Sequence, residues 1–140
     1  MRNFITDVAA HYNKVIFHNF AHAFNVLHCT SIIWNKIDHA KYFDELDLFL
    51  LLVGTICHDL DHFGLGNSYF VKSGHPLAST VSGQSVMENY HLHMANKLID
   101  KHDMFHALTP AEFTRSKKTL TELIIPTDLG KHFKILEDFK

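Results

Sequence analysis

The sequence predicts an all-α protein, a compact array of several helices. Apolar residues recur at the three- and four-residue spacing of helices along most of the chain, and helix start signals precede two of these runs. Strand-like alternation of convincing length is absent from the sequence. The chain of 140 residues has the length of one domain and can bury a single core.

The individual helices follow from apolar periodicity and from their start and stop signals. Asp44 is the expected N-cap of one helix, while Thr109, Pro110 and Glu112 form a capping-box start for another. Pro126 must kink or end the helix that precedes it. We therefore expect helices or short helical turns at 3–12, 20–37, 44–60, 67–72, 76–80, 86–101, 109–125 and 129–139.

The third helix should be the centre of the fold. Between Leu48 and Val53 it is apolar nearly all round, which is typical of a helix buried on every side. The helix before it has one apolar stripe, formed by Ala23, Val26, Leu27, Thr30, Ile33, Trp34 and Ile37. These two helices are expected to lie side by side as antiparallel neighbours.

Composition excludes several classes of function. The net charge of -2 leaves no electrostatic footprint for nucleic acid. The longest apolar run, from Leu48 to Cys57, is too short for a membrane span, and the N-terminus lacks a secretion signal. Cys29 and Cys57 are expected to be small buried hydrophobes, which suits a reducing, cytoplasmic compartment.

Histidine is unusually frequent, with 13 residues, and two of the histidine clusters have the spacing of side chains that could bind a metal ion together. His18 and His22 are four residues apart, so they share a helical face. His58, Asp59 and His62 follow the apolar third helix, where unpaired ionisable groups are costly. If the two helices are neighbours, both clusters meet and a divalent metal ion can neutralise the carboxylate.

Such a site favours a particular chemistry. Imidazoles suit zinc, whereas carboxylates and water suit magnesium or manganese. Two such ions can activate a water and clamp a phosphoryl group, and Asp59 is the natural bridge between them. An imidazole beside the ions can protonate the leaving oxygen.

The order of the motifs resembles the catalytic domain of class I 3′,5′-cyclic nucleotide phosphodiesterases. The family patterns are Tyr-His-Asn-x-x-His-Ala, which matches from position 17 except that Phe17 replaces Tyr, and His-Asp-x-Asp-His-x-Gly-x-x-Asn, which matches completely from His58 to Asn67. The resemblance continues through Val71-Lys72-Ser73, Met87-Glu88-Asn89-Tyr90-His91 and Thr127-Asp128-Leu129-Gly130-Lys131-His132.

The resemblance implies a role for each matching residue. His18 falls on the general acid, and His22, His58 and Asp59 fall on ligands of a zinc-like ion, with Asp59 bridging to a magnesium- or manganese-like ion. Asn67 falls on a substrate-binding position. Four further residues fall on positions behind the ligands, where the family's side chains hold the metal-coordinated waters: His62, Glu88, His91 and Thr127. The implied reaction is hydrolysis of cyclic AMP or cyclic GMP, the cyclic nucleotide substrate, to a 5′-monophosphate.

The chain also departs from the family pattern. A fourth protein ligand, in an Ala-Asp-Leu-Ser-like motif, and the purine-binding glutamine are not found in it. We therefore expect residues 1–140 to be the N-terminal portion of the catalytic domain. Preference between cyclic AMP and cyclic GMP stays open, as does oligomeric state. Two alternatives remain: a catalytically incomplete fragment or pseudo-enzyme, and another HD-type metal phosphohydrolase. Asp61 is expected to be structural, at the turn after the third helix.

Overall fold

The computed structural model describes residues 1–138, and these form helices and turns without a strand. Three short 3-10 turns, His39–Lys41, Ile125–Thr127 and Leu129–Lys131, connect longer elements. The α-helices are α1 (Arg2–Ala10), α2 (Phe20–Trp34), α3 (Glu45–Cys57), α4 (Asn67–Lys72), α5 (Pro76–Thr80), α6 (Val86–Lys101), α7 (Pro110–Ile124) and α8 (His132–Asp138). The predicted all-α class is confirmed.

The core is built around α3, as its sequence predicts. No residue of α3 from Leu46 onward is exposed, and Leu50 and Cys57 have no accessible surface. Helices α2, α6 and α7 pack against it, while α1 packs on α6. A smaller cluster joins α4, α5 and the start of α6 through Phe70, Ala78, Val86 and Met87.

Side-chain caps begin the two helices whose starts were predicted. The Asp44 side chain accepts the backbone N–H of Asp47, and the Asp47 side chain accepts the backbone N–H of Asp44. Thr109 and Glu112 form the equivalent reciprocal pair at the start of α7. The predicted N-cap of α3 and the predicted capping box of α7 are therefore confirmed, and the structure adds a capping box at α3 that was not predicted.

Helices α2 and α3 run antiparallel, also as predicted. The rings of His22, near the start of α2, and His58, after the end of α3, lie 5.3 Å apart between centroids. At the other end of the pair, the rings of Trp34 and Phe43 lie 5.4 Å apart. The start of α2 thus meets the end of α3.

Several predicted boundaries are wrong at their ends. Helix α2 stops at Trp34 instead of Ile37, because the Asn35 side-chain amide donates to the Ser31 carbonyl and the chain turns away. Helix α3 stops at Cys57, and the predicted helical residues 58–60 form a turn. The last segment begins as a 3-10 turn before α8, and Phe139 and Lys140 lie outside the described residues.

The burial prediction for α2 is only partly correct. Ala23 and Trp34 are buried, but Ile33 is 61% exposed and Ile37 is exposed beyond the end of the helix. Cys29 is also exposed, contrary to the prediction, whereas Cys57 is buried. Helix α2 packs one side against α3 and leaves the opposite face uncovered within residues 1–138.

None of the helices in the described part of the chain has the length and apolarity needed to span a lipid bilayer.

Candidate metal centre

Three side chains with metal-binding atoms converge where α2 begins and α3 ends. His22 lies in the first turn of α2, His58 is the C-cap of α3, and Asp59 follows it. Their candidate ligand atoms all lie within 4.8 Å of one another. The Asp59 Oδ2 atom is 3.4 Å from His22 Nε2 and 3.2 Å from His58 Nε2. This is the arrangement expected of a divalent metal site.

His22 is positioned by the cap of its own helix. The Asn19 side-chain oxygen accepts the backbone N–H groups of Ala21 and His22, which otherwise have no partner in the first turn. The cap therefore fixes the backbone of the first turn of α2, and with it the direction of the His22 side chain.

His58 is oriented by its own helix end. Its Nδ1–H donates to the Thr55 carbonyl at 2.8 Å, so that Nε2 faces Asp59 with its lone pair free when the ring is neutral. A carbonyl acceptor of this kind is the usual partner of a metal-binding histidine, because it sets both the tautomer and the ring angle.

Asp59 is a buried carboxylate with an unsatisfied oxygen. The residue is 8% exposed, and its Oδ2 atom accepts no hydrogen bond from residues 1–138 although two imidazoles stand close to it. Burial raises the pKa of Asp59, but His58 and the neighbouring imidazoles outweigh that effect and lower the pKa to about 2. A buried anion with an unpaired oxygen, facing two imidazole nitrogens, fits a divalent cation.

Three further imidazoles form a stack beside this group. The His18 and His62 rings are 4.0 Å apart between centroids, and the His62 and His91 rings are 5.4 Å apart, both with interplanar angles of 20°. His62 Nδ1 accepts the backbone N–H of Gly64 at 2.9 Å. His18 thus lies next to the candidate metal group without belonging to it.

His91 is held as a neutral base. Its Nδ1–H donates to the Leu60 carbonyl at 2.6 Å, and burial lowers the pKa of the ring to about 4. The Nε2 atom, 3.8 Å from Asp59 Oδ1, then carries a lone pair. Two groups that can only accept, with a gap between them, suit a water that donates to both.

The remaining predicted site residues come from α4, α6 and the segment after α7. Asn67 donates from Nδ2 to Glu88 Oε2 at 2.9 Å, and its Oδ1 accepts the backbone N–H of Met87 at 2.8 Å. Asn67 thus caps the start of α6 from another helix. Burial raises the pKa of Glu88. Thr127 is exposed and donates to the Ile124 carbonyl at 2.7 Å.

All nine sequence-predicted site residues line one cavity of about 630 Å³. They are His18, His22, His58, Asp59, His62, Asn67, Glu88, His91 and Thr127. The roles assigned to them remain predictions, but the structure brings them together from five separate segments. A cavity of this size has room for a nucleotide-sized ligand.

Sequence reasoning gave no role to some residues that shape the site. Asp128 lines the cavity and accepts the Ser85 hydroxyl at 2.7 Å, which connects the start of α6 to the segment after α7. The Thr-Asp pair in the sequence signalled this position, yet only Thr127 received a role. Asn19 could have been found as a cap, because Asn commonly precedes the first apolar residue of a helix.

Asp61 is structural, as expected, although it does more than cap a turn. The residue has a left-handed backbone with φ of 57°. Its two carboxylate oxygens accept from Asn13 Nδ2 at 2.7 Å and from the Tyr90 hydroxyl at 2.6 Å. Asp61 therefore connects the loop before α2 with α6.

Comparison with solved structures identifies phosphodiesterase domains of the same architecture. The phosphodiesterase domain of the RhoPDE fusion protein from the choanoflagellate Salpingoeca rosetta superposes with a TM-score of 0.92 at 32% identity. The superposition covers 98% of this chain and 44% of that chain. At this level of identity and overlap, the similarity extends to sequence as well as fold.

Curated relatives give the same result. The chain is 31% identical over 144 residues to the probable 3′,5′-cyclic phosphodiesterase pde-6 of Caenorhabditis elegans, covering 99% of this chain and 19% of the relative. It is 33% identical over 132 residues to the dual 3′,5′-cyclic-AMP and -GMP phosphodiesterase 11 of Drosophila melanogaster, covering 93% of this chain and 9% of the relative. The chain thus spans a fifth or less of these relatives' length. The family model described as 3′5′-cyclic nucleotide phosphodiesterase matches residues 17–140, and the chain belongs to that family.

Proposed function

We propose that this chain forms the metal-binding part of an enzyme that hydrolyses 3′,5′-cyclic nucleotides to 5′-monophosphates in cyclic-nucleotide signalling. The observation that supports it is the group of His22, His58 and Asp59 in a cavity that also contains His18. The substrate class comes from the relatives, some of which are named for cyclic GMP and others for both cyclic AMP and cyclic GMP. Which of the two this protein prefers is left open by the proposal.

Two divalent ions would be held by this chain's own side chains. We assign His22 and His58 to a zinc ion, with Asp59 shared between that ion and a magnesium or manganese ion. Imidazole favours zinc, whereas a carboxylate combined with water ligands favours the harder cations. When bound, the ions would polarise the phosphoryl group and make water a stronger nucleophile at neutral pH.

His18 is proposed as the general acid. Its ring lies beside the candidate ligands, half-buried and stacked on His62, with no competing hydrogen bond to a described residue. A ring in that position can hold a proton near the substrate and donate it to the O3′ leaving oxygen. The departing alkoxide thereby becomes a hydroxyl.

The other predicted residues hold water and substrate. His91 and Glu88 offer acceptors to cavity waters, and His62 keeps His18 and His91 in one stack. Thr127 adds a hydroxyl at the edge of the cavity. Asn67 is proposed to contact substrate, which would require its amide to be shared with Glu88 and the start of α6.

We propose that residues 1–140 are the N-terminal portion of the catalytic domain. The superposition covers 44% of the solved phosphodiesterase domain, consistent with that assignment. A second candidate function is a catalytically incomplete member of the family, and it is favoured by a ligand group of three side chains within residues 1–138. The cytoplasm is the proposed location, in agreement with the unpaired thiols of Cys29 and Cys57.

The test combines metal content with turnover. The chain is purified, its zinc is measured by elemental analysis, and hydrolysis of cyclic AMP and cyclic GMP is assayed with added zinc and magnesium. His58→Ala should lose zinc, and His18→Ala should keep zinc but lose turnover. His93→Ala, on the exposed side of α6, is the matched control and should change neither.

The outcomes separate the two candidate functions. Stoichiometric zinc with turnover that depends on His18 supports the enzyme. Stoichiometric zinc without turnover, also when the chain is joined to the rest of its catalytic domain, supports the incomplete member. Turnover only of substrates other than cyclic nucleotides would favour another HD-type metal phosphohydrolase, and absence of zinc binding would refute the assigned ligands.

A further inference from the structure

Three consecutive residues before α2, His11, Tyr12 and Asn13, hydrogen-bond to the turn that contains His58 and Asp59. This segment, His11–Asn13, follows α1 and lies outside the part of the chain that the family model matches, residues 17–140. Each of its residues contacts the stretch from Ile56 to His62, more than forty positions along the chain.

Tyr12 joins the last turn of α3 to the residue that supplies the carboxylate. Its buried hydroxyl donates to the Ile56 carbonyl at 2.9 Å and accepts the backbone N–H of Asp59 at 3.4 Å. Both groups lose their helical partners where α3 ends.

His11 and Asn13 hold the other side of the turn. The His11 carbonyl accepts the backbone N–H of Asp61 at 3.0 Å. Asn13 Nδ2 donates to Asp61 Oδ1 at 2.7 Å and to the His62 carbonyl at 3.2 Å. Tyr12 therefore holds the backbone N–H of Asp59, and His11 and Asn13 hold Asp61, two residues later in the same turn.

We propose that the His11–Asn13 segment positions His58 and Asp59 for metal binding, with Tyr12 and Asn13 as its positioning residues. The inference rests on the proposed metal site. The His58 ring is already held by the Thr55 carbonyl of its own helix, whereas the backbone N–H of Asp59 bonds to Tyr12, outside α3. The position of the Asp59 carboxylate beside His58 therefore depends on bonds from outside the helix. Outer partners of this kind commonly tune metal affinity tenfold or more.

The test uses Co²⁺ as a spectroscopic probe for the zinc position, with the whole chain of residues 1–140. Tyr12→Phe removes only the hydroxyl, and Asn13→Ala removes only the amide contacts. Tyr42→Phe, at an exposed tyrosine, is the matched control for the first change. Ile99→Val is the control for lost stability, since Ile99 is buried eight residues beyond His91 on α6.

We expect the double variant Tyr12→Phe/Asn13→Ala to bind Co²⁺ about tenfold more weakly, with an altered visible absorption spectrum. Tyr42→Phe and Ile99→Val should keep the wild-type affinity and spectrum. Urea unfolding of each metal-free chain identifies variants that have lost stability alone.

Each outcome of the Co²⁺ titrations either supports or refutes the positioning role. If the wild-type chain binds Co²⁺ and the double variant binds it equally well with the same spectrum, the positioning role is refuted while the metal site stands. If Ile99→Val weakens binding as much as the double variant does, the segment acts through stability only and the inference fails. A wild-type chain that does not bind Co²⁺ refutes the metal site and this inference with it.

Discussion

Substitution of Asp61 tests two features of its turn at once: the left-handed backbone and the two hydrogen bonds to the carboxylate. The φ of 57° is favourable for glycine, tolerated by Asp and Asn, and costly for alanine. Asparagine keeps one oxygen that can accept the hydrogen bond from Asn13. Its NH2 group then faces the Tyr90 hydroxyl and cannot accept the hydrogen bond that the second carboxylate oxygen accepts. Three variants, Asp61→Asn, Asp61→Gly and Asp61→Ala, separate the two features.

The expected magnitudes follow from these contacts. Each hydrogen bond to the half-buried carboxylate contributes about 1.5 kcal/mol, so Asp61→Gly should lower the free energy of unfolding by about 3 kcal/mol. Alanine adds about 1 kcal/mol for the left-handed backbone and should cost about 4 kcal/mol. Asparagine keeps one bond and the tolerated backbone, and should cost about 1.5 kcal/mol.

The assay is equilibrium urea unfolding of the metal-free chain, followed by circular dichroism. The predicted order of stability is wild type, Asn, Gly, then Ala, which reverses the preference for alanine over glycine found inside helices. An alanine variant as stable as the glycine variant would show that the left-handed backbone is not strained. An asparagine variant as unstable as alanine would show that the charge, and not the acceptor geometry, holds the turn.

Three further changes have effects that the structure specifies. Asn19→Ala should lower the free energy of unfolding by about 1 kcal/mol and weaken zinc binding, measured by urea unfolding and calorimetry, because the cap of α2 is lost next to His22; unchanged zinc affinity would contradict the link. Thr109→Ala should cost about 1 kcal/mol through its capping box, whereas Thr114→Ala, whose hydroxyl only bonds within α7, should be nearly neutral. The folded-state pKa of His91 is about 4, below the ordinary 6.5, so the unfolded chain takes up the proton first. The contribution of the neutral His91 ring to the free energy of unfolding is therefore fully present above pH 6.5, and it falls by about 2 kcal/mol by pH 5. The stability difference between wild type and His91→Gln should narrow accordingly in metal-free urea titrations, and a difference that is constant with pH would contradict a neutral buried ring.

The parts of the fold that sequence predicted well are those with local causes. The starts of α3 and α7 were predicted because Asp44 and Thr109 each form a cap with a residue three positions later. Pro126 ended its helix because it has no N–H to donate, and Ile124 is the last α-helical residue before it. In each case the deciding contact lies within one helical turn.

The end of α2 and the exposure of its outer face were not predicted, and both depend on what lies next to the helix. Ile37 continued the apolar spacing of the stripe, but the Asn35 side chain bonds back to the Ser31 carbonyl and the helix ends at Trp34. Cys29 lies in an apolar stretch of sequence and is nevertheless exposed. Apolar spacing indicates where a helix can bury surface, and does not show that a neighbour is present there.

The candidate site divides in the same way. His22, His58 and Asp59 could be found as candidate ligands, and His18 as a candidate acid beside them, because histidine and carboxylate are common metal-binding and proton-transferring groups and their spacing is visible in the sequence. Tyr12 and Asn13 could not be found in that way, because tyrosine and asparagine have many roles and their partners lie more than forty residues away. The proposed ligands can be recognised by their residue type and spacing, whereas the residues proposed to position them can be recognised only from the folded structure.

Asp59 shows why both kinds of residue are needed. A buried carboxylate with an oxygen that no described residue satisfies is costly in a folded protein, and a sequence selected for stability alone would replace it. The fold can tolerate the free-energy cost of burying this carboxylate because α3 is buried along most of its length and contributes stability. Tyr12 also holds the backbone N–H of Asp59 in place where the helix has ended. A metal ion that binds only the folded chain would recover part of that cost, so metal binding and folding should be thermodynamically coupled. In the proposed site, the unsatisfied oxygen would be the property that favours a cation, since any side chain that satisfied it would also occupy the ion's place.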